Sequence, residues 1–210
     1  MGDMGVVVVG AIGNCVDIAD AVRQSGRKLV GFLDDDPTLL NSEICGAKVL
    51  GGIDQALDFS DCLFVCGVGG PKSFYLKLSL ISKTRLPREK FTTVVHPLAS
   101  VSPSAYIGAG CVFLSGVSVG ANASVGDHTL MLQNTVIGHD TKIGKGCSIA
   151  AGVVVSGAAY IGDECYLGAG AIVRDGINVA GRSLLGMGSV LLEGISESGT
   201  YAGNPARKLR

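Results

Sequence analysis

No stretch of this sequence concentrates positive charge: 17 lysines and arginines are scattered against 18 aspartates and glutamates, for a net charge of −1. A polyanion finds no footprint on such a chain, so DNA and RNA are excluded as expected partners. No apolar run approaches bilayer length, no cationic leader opens the sequence, and Val6 stands where a myristoylation signal wants serine or threonine. The expectation is a soluble, cytoplasmic protein that avoids membranes. Cys-x-x-Cys pairs are missing as well, and the seven cysteines are odd in number, so neither a disulfide framework nor a metal is expected. Tryptophan is absent and aromatics make up 5%, whereas glycine reaches 32 of 210 residues without a three-residue period. That combination rules out collagen and points to a repeat with tight turns.

The repeat is explicit. From Val95 to Leu191 an aliphatic, Met or Phe residue recurs every six positions without an insertion, through Val101, Ile107, Phe113, Val119, Val125, Met131, Ile137 and onward. Four residues after each stands an uncharged, non-aromatic residue such as Ala99, Cys111, Thr129 or Cys147, and glycine often follows the large one directly, as in Ile137-Gly138. A period of six matches neither an α-helix nor simple alternation, but it matches a short strand and a turn, repeated. Three such faces close a triangular coil in which residues 18 apart stack. Cys111, Cys147 and Cys165 then share one column and read as small wall-packing residues. The preceding domain is expected to cap one end of the solenoid, and the stretch after Leu191 the other.

Residues 1–91 read differently. An apolar strand run over residues 5–9, a helical stretch from Asn14 to Ser25 and Leu29–Leu33 make a β-α-β unit, with a further buried strand at Cys62–Cys66. Gly10-Ala-Ile-Gly13 would offer backbone N–H groups at a helix N-terminus, and Asp34-Asp35-Asp36 ends the second strand. Without the full Gly-x-Gly-x-x-Gly spacing the loop stays open to three readings: a dinucleotide site, a structural glycine turn, or a nucleotide-sugar pocket.

The hexapeptide rule together with the terminal Gly203-Asn204-Pro205-Ala206-Arg207 resembles the hexapeptide-repeat acyltransferases. Membership would imply a left-handed parallel β-helix over residues 92–210, a homotrimer, and acetyl-CoA in grooves between subunits. A small α/β, Rossmann-like domain in front of such a helix is similar to the nucleotide-sugar N-acetyltransferases of the bacillosamine and perosamine pathways, with a sialic acid O-acetyltransferase branch. The resemblance implies acetylation of the 4-amino group of a nucleotide-linked, UDP-type, amino-deoxy sugar in bacterial glycan synthesis. It leaves sialic-acid-type O-acetylation and a non-catalytic nucleotide-sugar scaffold as alternatives.

Acyl transfer to an amine needs a base, and histidine suits that role near neutrality. By position, His96 reads as a joint residue, His128 as a solvated side chain, and His139 as either an exposed turn residue or a base beside a groove, since its column runs Ala121, His139, Gly157, Asp175. The resemblance makes His139 the catalytic base and Asp140 its carboxylate partner, a pairing that an extended segment would forbid and a turn must create. It also implies nucleotide contacts at Ile12, Gly13, Asn14, Asp34 and Asp35, with Asn14 in place of the usual histidine. Acetyl-CoA contacts fall at Ser148, Gly157, Ala169 and Met187, with Ser148 replacing a second histidine of relatives. A zinc hydratase of the same fold needs three stacked histidines. His96, His128 and His139 follow their repeat residues by one, three and two positions, so their spacing argues against it.

Overall fold

The computed structural model describes residues 4–209. Its first unit runs β1 (Val6–Val9), α1 (Asn14–Gln24), β2 (Leu29–Leu33), β3 (Glu43–Ile44), β4 (Ala47–Gly51), β5 (Leu63–Cys66) and α2 (Lys77–Lys83). The sheet order is β3-β4-β2-β1-β5, parallel except for the β3–β4 hairpin. The hairpin is an addition to the three strands expected, and its turn holds Cys45 at φ 49° and Gly46 at φ 69°. All four valines of β1 are fully buried because both faces of the sheet are covered. Val6 and Val8 share a core with Ile18 and Val22 of α1, while Val7 and Val9 pack with Ile53, Ala56 and Ile81.

The second unit is a left-handed parallel β-helix of two-residue strands, one every six residues. Val119 pairs with Val101 below and Ile137 above, an 18-residue step that holds on all three faces. The first face carries Val112–Phe113, Leu130–Met131, Ser148–Ile149 and Tyr166–Leu167. The second carries Ser118–Val119, Val136–Ile137, Val154–Val155 and Ile172–Val173, and the third Ser124–Val125, Lys142–Ile143 and Tyr160–Ile161. The large repeat residues fill the interior; Phe113, Val125, Met131, Val155 and Ile161 are completely buried. Cys147 and Cys165 sit at the narrow corners, where each Sγ meets a carbonyl 15 residues on, as the Thr129 and Thr141 hydroxyls also do. Burial pushes the Cys111 thiol up to about 11. These cysteines are wall packing.

Two different turn constraints explain the glycines. The glycine directly after a large residue lies where the next coil presses close: a Cβ on Gly138 would stand 2.5 Å from the Gly157 nitrogen. Two residues further on, the chain turns the corner through left-handed φ, with glycine at Gly146 and Gly152 but Asn122, Asn134 and Asp140 elsewhere.

The α/β unit does not cap the end of the helix. It docks against the first face, where Val94, Val112, Leu114 and Leu130 join the core of β1 and α1. The starting coil is open instead: Val95 is 37% exposed, and Val101 and Ile107 are only half-buried. Phe91, at the expected boundary, bridges to Phe64 and stands edge-on to His128. Arg88 clamps Asp127 through two bonds of 2.6 and 2.7 Å. At the far end Thr200–Gly203 rejoins the first face and Ala206–Lys208 folds back along it, so the tail closes the helix.

Lys77, the first residue of α2, is completely buried in the seam and donates 2.9 Å hydrogen bonds to the Cys147 carbonyl and the Ser148 hydroxyl. Burial pushes its ammonium down from 10.5 to about 8. A base whose folded pKa lies below its unfolded value costs stability below the folded pKa, and that cost fades as pH rises to the unfolded one. The contribution of this group should therefore rise by about 3 kcal/mol between pH 8 and 10.5, opposed in the wild type by buried thiols such as Cys111, whose raised pKa values make them lose stability over the same range. Lys77→Met keeps the stem and removes the charge, and the Cys147 carbonyl keeps its bond from the Leu130 N–H. Chemical denaturation should show the variant more stable than wild type at pH 7 and the difference shrinking by pH 10.5. A variant less stable at both pH values would show that the ammonium is a net stabiliser.

Candidate active site

The glycine loop forms at the end of β1, whose two neighbours, β2 and β5, are reached by crossovers on opposite sides. That is the switch point where open parallel sheets hold ligands. Gly10 and Gly13 adopt φ 94° and 60°, and a Cβ on Gly10 would come 2.8 Å from the Cys15 Sγ, so the tight turn requires glycine. Asp34, ending β2, accepts hydrogen bonds from the N–H groups of Ala11 at 2.8 Å and Asp36 at 3.0 Å and so braces the loop. The result is a 360 Å³ cleft lined by Ile12, Gly13, Asn14, Asp34, Gly69 and Ser73, among others. Asp35 is placed elsewhere: its carboxylate accepts from the Lys83 ammonium at 2.8 Å and the Ile53 N–H at 3.0 Å.

Asn14, Gly69 and Gly70 also line a second, 90 Å³ recess that carries the cleft onto the first face of the β-helix, against Leu130, Leu132, Ser148, Ala150 and Tyr166. Ser148 faces this seam, buried, its oxygen accepting the Lys77 bond, which leaves the hydroxyl proton free to donate.

His139 stands on the corner between the second and third faces. Asp140 takes φ 58° there, and this left-handed turn brings the two adjacent side chains together, Nδ1 to Oδ2 at 2.7 Å. The bonds from His139 and then Asn122 hold the Asp140 carboxyl below the usual carboxylate range. An ionised carboxylate only accepts, so Nδ1 carries the hydrogen, and in the neutral imidazole Nε2 is the basic nitrogen. That nitrogen lies over Gly157, where a Cβ would come within 2.7 Å of it, and the imidazole is 71% exposed. Of the positions matched to acetyl-CoA, Gly157 shares this corner, whereas Ala169 and Met187 stack on one another at the corner between the first and second faces.

The other histidines have different surroundings. His96 is a buried joint, its Nε2 paired with Gln24 at 2.6 Å and its Nδ1 accepting from the Leu98 N–H at 3.0 Å. His128 is not solvated as expected: it packs edge-on to Phe91 with ring centroids 4.8 Å apart, its Nδ1 is buried without a partner, and burial lowers its pKa. Among the described residues no three His, Cys, Asp or Glu side chains gather as a metal site, and no helix is long and apolar enough to cross a membrane.

Residues 122–157 match the family described as bacterial transferase hexapeptide (six repeats), and residues 159–193 match the hexapeptide repeat of succinyl-transferase. The acetyltransferase domain of PglB from Neisseria gonorrhoeae, solved with acetyl coenzyme A, is 26% identical and superposes with a TM-score of 0.89 over 99% of this chain and 100% of that one. The chain carries the hexapeptide repeats of bacterial transferases and is an acyltransferase.

Two other structures share its architecture. A histidine-to-asparagine mutant of perosamine N-acetyltransferase from Caulobacter crescentus, in complex with CoA and GDP-perosamine, is 24% identical with a TM-score of 0.88 over 98% of this chain and 97% of that one. WeeI from Acinetobacter baumannii is 24% identical with a TM-score of 0.84, covering 98% of this chain and all of that one. No curated protein matches the chain by sequence. Sequence reasoning missed two polar groups in this acyltransferase. Lys77 carries a signal in hindsight, a lysine opening a helix whose Ile81 and Leu78 face the core. Asn122 carries another, since it precedes Asp140 by one 18-residue turn of the coil.

Proposed function

We propose that the protein transfers the acetyl group of acetyl-CoA to the 4-amino group of a UDP-linked amino-deoxy sugar, with His139 as general base. The observation that carries this reading is the His139–Asp140 pair, which engages Nδ1 and leaves Nε2 exposed. The free amine attacks the thioester carbonyl, a C–N bond forms, and Nε2 takes the amine proton. Asp140 stabilises the imidazolium so formed. The tetrahedral intermediate then collapses, the C–S bond breaks, and His139 returns its proton to the departing thiolate.

The glycine cleft supports the nucleotide assignment, because N–H groups at the start of α1 suit a diphosphate. Its extension onto the first face suits a deoxy sugar: Leu130, Leu132, Ala150 and Tyr166 line it, and no lysine or arginine does. A sialic acid carboxylate would find no cation on that lining. Within one chain, however, the cleft lies over the first face and His139 on the opposite corner, with the packed interior between them. A site that uses both is therefore built from two chains. The second face offers a surface for that assembly, an outward ladder of Val136, Val154, Ile172 and Val190 in which Val136 and Ile172 are 40% and 41% exposed. It fits a homotrimer whose grooves carry corners from two neighbours.

Release of CoA thiol measured with UDP-, dTDP- and GDP-linked 4-amino sugars and with sialic acid tests the substrate class. Turnover is expected with the UDP-linked amine and none with sialic acid. A preference for the GDP-linked amine, the class bound by the Caulobacter enzyme, would correct the nucleotide. Turnover of sialic acid alone would replace the reading altogether.

A further inference from the structure

We propose that Asn122 is a positioning residue of the transfer, the outermost member of a three-residue relay that fixes the orientation of the His139 imidazole through Asp140. The inference rests on the reading of His139 as the base and extends it to a residue on the coil below. Asn122 Nδ2 donates to Asp140 Oδ1 at 3.2 Å, while the other carboxylate oxygen, Oδ2, meets His139 Nδ1 at 2.7 Å. Each oxygen of Asp140 is thus engaged by a different side chain, one from its own turn and one from the preceding coil.

The geometry matters because Asp140 is exposed and has two soft torsions of its own. A carboxylate held at one oxygen only swings about that contact, and an imidazole whose partner swings loses both its tautomer and its aim. Asn122 removes that freedom from a rigid base. It occupies a left-handed corner at φ 57°, its backbone N–H is tied to the Ser104 hydroxyl at 3.0 Å, and the Ala121 carbonyl beside it accepts the Asp140 N–H at 2.9 Å. Glycine meets the same left-handed requirement at the equivalent corner Gly176, so φ alone does not demand an amide here. What asparagine adds is the donor. The groups around His139 are otherwise uncharged: the coil below contributes Ala121 and Asn122, and the coil above Gly157 and Ala158. Arg174 and Asp175 stand one coil further on. Asp140 is therefore the charge that meets the imidazole, and Asn122 sets where that charge points.

Two substitutions at this exposed corner separate positioning from structure. Asn122→Gly removes the amide without straining the backbone. It should lower kcat about tenfold, leave KM for both substrates near the wild-type values, and move the acidic limb of the kcat profile to lower pH, since a loosened carboxylate stabilises the imidazolium less. Asn122→Asp keeps the shape and adds a negative charge, so the same limb should move to higher pH. A residue that only packed one coil on the next would shift thermal stability and leave both limbs in place. Unchanged kcat and unchanged limbs in both variants would overturn the proposal. His139→Ala run alongside distinguishes the two levels: if it keeps wild-type turnover, the assignment of the base fails first, and if it is inactive while both Asn122 variants behave as wild type, only the relay fails.

Discussion

Replacing His139 with alanine should lower kcat by a factor on the order of 10² to 10⁴, the usual share of a general base, while the KM for the nucleotide sugar stays within a few-fold of wild type. The two parameters separate because the cleft that would hold the sugar is built by the α/β unit from Gly13, Asn14, Asp34 and Gly69, and none of these touches the His139 corner of the same chain. Folding should be unaffected, since the imidazole is 71% exposed and its hydrogen bond is to the neighbouring Asp140. The pH profile supplies the second readout. Wild-type kcat should fall on the acidic side as Nε2 becomes protonated, and that limb should be missing from the variant's residual rate. Residual turnover is expected because proximity in the closed groove survives the substitution. A kcat within threefold of wild type would remove His139 from the chemistry and leave the exposed histidine as an ordinary turn residue.

The contrast between what the repeat revealed and what it concealed has a physical basis. Stacking at 18-residue intervals is a property of the chain itself, so the interior column of Val119, Ile137 and Val155 and the corner column of Cys111, Cys147 and Cys165 were readable from spacing alone. The His139–Asp140 contact was not, because it depends on one backbone angle, φ 58° at Asp140, that no side-chain pattern announces. His128 was misread for another reason: the ring that buries it, Phe91, belongs to the segment joining the two units and reaches the helix only through docking. The same docking explains the open first coil. A repeat specifies its own neighbours but not the face on which a foreign domain settles, and here the outward residues Val112, Leu114 and Leu130 drew the α/β unit to the side. Asp34 and Asp35 were indistinguishable as letters. Their neighbours, Ala11 for one and Lys83 with Ile53 for the other, sent them in opposite directions.

Mixing two inactive variants should restore activity. His139→Ala chains keep the glycine cleft and the first face but lack the base. Asn14→Glu chains keep the base but place a carboxylate in both recesses of the cleft, where a diphosphate would be repelled. Glutamate at the first turn of α1 is compatible with the helix dipole, so the second variant should fold. Each homogeneous preparation is then expected to be nearly inactive. In mixed oligomers, a chain with a sound cleft sits beside a chain with a sound base, and one such pairing in about four arises if the subunits assort freely around a cyclic assembly. Refolding or co-expressing the two should therefore recover about a quarter of the wild-type rate. The gain follows from the prism itself: the cleft opens over the first face, His139 occupies the corner between the other two, and the buried side chains of Phe113, Val125 and Met131 fill the space between. If mass spectrometry shows mixed oligomers and the rate stays at the sum of the two parents, cleft and base are not shared between chains. In that case His139 serves a site made within one subunit, and the proposed trimeric groove must be abandoned.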